Sequence, residues 1–129
     1  MKYKITQLAD ELNSDQTDSR VRAIIKDVDD RCRRKFNYEL TITEVLRNQV
    51  EEDKLNPTVK LSPHVDRPCR AVDFRNSDMP VGVKEFLFNY IPHWWPDAVL
   101  LWNDRGDASP HCHLAVRTQE PKTGGTIHA

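Results

Sequence analysis

The sequence predicts an α+β domain, a small and mainly antiparallel sheet with helices packed against it. Three observations carry this. Val21, Ile24, Ile25, Val28 and Cys32 recur at helical spacing, with charged residues filling the other face. Tyr38, Leu40 and Ile42 alternate with Glu39, Thr41 and Thr43, the period of a half-buried strand. Near the other end, the apolar segments 98–102 and 111–117 are joined by a short turn-rich connection, which suits antiparallel neighbours.

Taken in order, residues 1–16 are polar, and Ile5, Leu8 and Leu12 allow one or two amphipathic turns. The first long helix is expected over about 17–35, with Asp18 or Ser19 as its N-cap. Its mixed charges read as a solvated face rather than a binding patch. A strand follows near 38–45, then a short helix at 50–55 that stops before Pro57. Residues 70–75 read as a buried strand, with Val72 and Phe74 on one face and Ala71 and Asp73 on the other. Val83, Phe86, Leu87 and Tyr90 predict a helix over 81–90, ending before Pro92. His93, Trp94 and Trp95 then form an aromatic corner that closes an edge of the core. Residues 118–129 are expected to be a loose polar tail, with His128 in it playing no part in function.

The 129 residues suffice for one domain with a real core, spanning 1–129 with its central part at about 38–117. Hydrophobic residues make up 38% and charged residues 30%, the balance of a soluble globular chain. A formal net charge of -1 argues against bulk capture of nucleic acid or anionic membrane. No apolar run is long enough to span a bilayer, and the first residues carry no apolar leader, so synthesis in the cytoplasm is expected. Cys32, Cys69 and Cys112 are odd in number and widely spaced, which is no disulfide framework. A monomer is expected.

Chemistry concentrates in two stretches, 62–74 and 109–116. His64 would lie on a loop before the strand that carries Asp73. His111 and His113 are two apart on another strand and so share a face, with Cys112 on the opposite face as core filler. Four residues of strand would put Cys69 roughly 13 Å from Asp73, too far to share an ion with it. Two imidazoles and one carboxylate are the donor set of a catalytic zinc site, in which three protein ligands leave the fourth position to water. His64 and Asp73, with His111 or His113, can supply that set.

Ser62-Pro63-His64, Ala71-Val72-Asp73 and His111-Cys112-His113, in this order, resemble the zinc peptidases that include D-alanyl-D-alanine carboxypeptidases and phage L-alanyl-D-glutamate endolysins, relatives in fold of the hedgehog signalling domain. The segment 40–49, running into Arg47 just before Glu51, Glu52 and Asp53, resembles a second feature of that family. The resemblance covers about 40–117. It implies a zinc-dependent peptidase acting on the peptide stem of bacterial peptidoglycan, as a phage or prophage lysis enzyme that works on the wall after release or from a virion. It also implies His111 as general base or oxyanion stabiliser, Arg47 as the partner of negative charge on intermediate or substrate, and Ser62 as a support of the His64 loop or a substrate contact. The chain departs from the pattern at two points. Its His64–Asp73 spacer is longer, so residues 66–68 must bulge outward, and Cys69 stands where the family has glycine. Pro110 stands where many members carry a carboxylate, three residues before the last zinc histidine. A His-x-His version of the superfamily fits instead, and it implies His64, Asp73 and His113 as the zinc ligands, with His111 beside them as a catalytic group and Asp107 as reserve base. The alternative function is a non-catalytic zinc-binding structural or interaction domain of the same fold.

Overall fold

The longest element forms where the periodicity is strongest. In the computed structural model, which describes residues 1–46, 64–65, 67–103 and 110–117, helix α2 spans Ser19–Phe36. It follows a short helix α1, Gln7–Leu12. Asp18 caps α2, its carboxylate accepting the Arg20 N–H at 2.8 Å. At the other end Asn37 takes a left-handed conformation at φ 55°, and the Asn37 and Tyr38 N–H groups return to the Arg33 and Cys32 carbonyls. Asparagine tolerates that conformation better than other residues with a Cβ. Arg33, Arg34 and Lys35 in the last turn suit the negative end of the helix dipole. Val21, Ile24, Ile25, Val28 and Cys32 are all buried, as their spacing requires. Asp29 is buried among them and is satisfied, accepting from the Leu40 N–H and from Arg33.

The described residues form a five-stranded mixed sheet and three helices, an α+β arrangement. The strands are β1 Lys2–Tyr3, β2 Thr41–Glu44, β3 Ala71–Arg75, β4 Ala98–Asn103 and β5 His111–Val116, in the order β1-β2-β3-β5-β4. All neighbours are antiparallel except β1 and β2, which are parallel. The parallel strand was not legible: two residues carry no alternation, and only pairing with Thr41 and Ile42 makes them a strand. The third helix, α3, spans Val81–Trp94. It runs through Pro92 instead of stopping before it. Pro92 lies in the last turn with its ring exposed, so the missing N–H removes a single helical bond. The expected aromatic corner is therefore divided. His93 and Trp94 finish the helix and are exposed, while Trp95 packs against the core.

Two smaller expectations also change. Ile5 is exposed, so Leu8 and Leu12 alone give α1 its buried face. Thr17 precedes α2 and forms an isolated bridge with Cys69, tying the start of the helix to the segment before β3. The core lies on one side of the sheet, where Ile42, Val72, Phe74, Cys112, Leu114 and Val116 meet the buried faces of α2 and α3. The other side of β3 and β5 carries Asp73, His111 and His113. The expected short helix at 50–55 and the expected tail at 118–129 lie outside the described residues.

Candidate metal centre

Asp73 is where the group converges. It lies mid-strand on β3, buried, directly across from His113 on β5. The His113 Nδ1 is 2.8 Å from the Asp73 Oδ1. The His64 Nε2 is 3.1 Å from the same oxygen. The two imidazoles meet edge-on, with ring centroids 5.3 Å apart. One ligand atom from each of His64, Asp73 and His113 lies within 4.8 Å of the others, so the group could hold a metal ion. Ligand atoms at zinc bond lengths in a tetrahedral site stand about 3.3 Å apart, close to the two short edges seen here.

The support around His64 decides its chemistry. Its Nδ1 is 2.7 Å from the Val45 carbonyl oxygen. That oxygen only accepts, so Nδ1 carries the proton and donates it. The neutral ring then turns a lone pair on Nε2 toward a carboxylate oxygen, an arrangement that repels unless a cation stands between them. A proton on Nε2 is one solution. Burial opposes the imidazolium, but the hydrogen bonds to Asp73 and Cys69, the Asp73 charge and the Val45 carbonyl outweigh it and hold the His64 pKa up at about 10. Asp73 is held well below the usual carboxylate range. Burial works against that, but the hydrogen bonds and charges of His113 and His64 prevail. A divalent cation is the other solution, and it would use the same lone pair while Val45 keeps the ring oriented, as an outer-shell carbonyl does in metal sites.

The neighbours explain how a loop histidine reaches a strand aspartate. Between Ile42 and Glu44 the β2–β3 register slips. Such a bulge re-aims the chain, here just before Val45 presents its carbonyl to His64. Arg67 donates to the His64 and Val65 carbonyls at 2.9 and 3.0 Å, closing the turn that carries the ligand. Arg67 and Pro68, between the two ligands, are exposed, and His64 and Asp73 still converge across them.

Cys69 is not part of the metal-capable group, but its surroundings differ from those of a residue far along an extended strand. Its thiol donates to the Val45 and Ala71 carbonyls and touches His64, and its backbone is held by Gln16 and Asp18. A spacing count along one strand could not show this, because the bridge to Thr17 turns the chain first. Val45, Arg67 and Cys69 are thus site residues that sequence reasoning missed. None has an unusual local signal, since each acts through a contact made only on folding.

His111 shares the face of His113. Its Nε2 lies 3.6 Å from the Asp73 Oδ2, the carboxylate oxygen not shared by the other two histidines. Its ring is partly exposed and so reachable from solvent. Cys112 points the other way into the core, and burial pushes its thiol up to about 12. The other expected participants, Arg47, Ser62 and the reserve base Asp107, lie outside the described residues. No helix among the described residues is long and apolar enough to cross a membrane. Comparisons with protein-family models, curated proteins and solved structures found no match.

Proposed function

We propose that this chain is a zinc-dependent peptidase acting on the peptide stems of bacterial peptidoglycan, with a hedgehog-type fold and the resemblance to carboxypeptidases and endolysins set out above. The observation that carries the reading is the convergence of His64 and His113 on one buried oxygen of Asp73, with the His64 tautomer set by Val45. Three neutral or anionic donors leave room for a fourth, external ligand, the pattern of catalytic rather than structural zinc. Zinc bound there supplies Lewis acidity toward a carbonyl and a nucleophile from water at neutral pH.

The chain's own residues would do the rest. Asp73 contributes the negative charge that offsets the cation. His111, at the rim of the group, accepts a proton at Nε2 from the attacking water and returns it to the leaving amine. Arg47 and Ser62 keep the substrate-binding roles that the resemblance implies. A lysis enzyme from a phage or prophage is the biological setting this implies.

One observation favours a second reading, a non-catalytic metal-binding domain of the same fold. Pro110, not a carboxylate, stands three residues before His113. Zinc analysis and release of amino groups from purified peptidoglycan separate the two. About one zinc per chain, with activity abolished by chelator and by His113→Ala, is the expected result. Zinc-loaded protein inert on every wall peptide would establish the second reading instead.

A further inference from the structure

The sheet face that carries the metal-capable group is arranged in three cross-strand rows. Ala71, Ala115 and Val99 form an apolar row, Asp73, His113 and Leu101 the middle one, and Arg75, His111 and Asn103 a polar one. Arg75 is half-buried, and among the described residues its guanidinium has no hydrogen bond or ion pair. The nearest acid along the strand, Asp73, has both carboxylate oxygens turned toward imidazoles. A permanent cation therefore stands one row from the metal group with no anion paired to it among the described residues.

Building on the peptidase reading, we propose that Arg75 binds the free carboxylate of the substrate, with the scissile carbonyl at the metal group and the carboxylate about one residue beyond it. Residues two apart on one strand face are about 6.7 Å apart, and an extended peptide advances about 3.4 Å per residue. The Arg75 row therefore lies about two residues beyond the metal row, and the long Arg75 side chain can span the remaining ~3.3 Å back to a carboxylate on the residue that follows the scissile bond. Its planar fork suits two-point recognition of a carboxylate better than any other side chain. The opposite row offers only methyl groups, and Leu101 beside His113 is half exposed. A charged terminus is desolvated without compensation on that side, so the face sets the direction in which a peptide lies. Leu101 and Val99 form an apolar floor for a small side chain. This arrangement selects a peptide that ends at the residue released, the carboxypeptidase mode rather than the endopeptidase mode.

The test uses the full chain loaded with zinc and two probes, Nα-acetyl-L-Lys–D-Ala–D-Ala and its C-terminal amide, followed by hydrolysis and by calorimetric binding. The wild type should prefer the acid. Arg75→Gln should lower kcat/KM and affinity for the acid about 10- to 100-fold, the range of a lost charge-assisted pair, and leave the amide nearly unchanged. Arg75→Lys should restore part of the preference. Zinc content and the melting temperature of both variants should match the wild type. Equal losses on acid and amide, or none, would overturn the proposal while leaving the peptidase reading intact. If the wild type hydrolyses neither probe, that reading fails separately. The binding arm still decides Arg75, since an acid preference lost in Arg75→Gln supports it and no preference overturns it.

Discussion

The two faces of strands β3 and β5 have opposite characters within one stretch of backbone. Val72, Phe74, Cys112 and Leu114 point into the core and are fully buried, while Asp73, His111 and His113 alternate with them and point to the other side. Packing and chemistry thus share the same residues' backbone but not the same space. The core face gains stability from lost water contact. The other face concentrates polar groups at a cost, which their mutual hydrogen bonds, or a metal ion, offset. Each face should therefore respond to a different perturbation.

The largest contrast comes from His113→Ala. Zinc binding should disappear and peptidase activity should fall to the chelator-treated level, while the metal-free variant keeps the wild-type circular dichroism spectrum. If that variant is unfolded, the two faces are not separable and the comparison fails. On the core face, Phe74→Ala should cost about 3–5 kcal/mol in denaturant titration, because it empties a fully buried aromatic site. Any variant molecules that remain folded should still bind zinc.

Zinc itself should stabilise the wild type by about 2.7 kcal/mol at a hundredfold excess over its Kd. It should bind more tightly as pH rises, because it displaces the proton that His64 holds in the metal-free cluster. Proton release measured by calorimetry in buffers of different ionisation heat checks the sign. For the metal-free chain the linkage runs the other way. A histidine with a raised folded pKa contributes stability that is whole below its unfolded value and is lost as pH rises through about 10. Melting without metal should therefore fall on the alkaline side, and zinc should reverse part of that fall.

The smallest effect expected lies at neither face. Asp18→Ala removes the N-cap of α2 and should cost about 1 kcal/mol near neutrality. The Asp18 pKa is depressed, chiefly by its hydrogen bond with Arg20, although burial opposes the shift. Its contribution is present above the unfolded carboxylate pKa and lost as pH falls through the lower folded value, so the gap between variant and wild type should close in acid.

How much of this was legible beforehand follows from the range of each interaction. Helix α2 and its Asp18 cap were legible because spacing and capping are local. The shared face of His111 and His113, and Cys112 on the reverse, followed from the two-residue period of a strand. The stop placed before Pro92 was too early, because local chemistry says that proline interrupts but not how little one missing bond costs in a last turn.

The sequence by itself determined which side chains could supply the chemistry and which face of a strand each would take, because both depend on residue type and on backbone periodicity. Only the tertiary structure decided that His64 turns its Nε2 toward Asp73, that Val45 and Cys69 hold it there, and that Arg75, one row away, has no ion pair among the described residues. Those are contacts between segments far apart along the chain. They arise from the β2–β3 register slip and the bridge between Thr17 and Cys69, which no local pattern encodes.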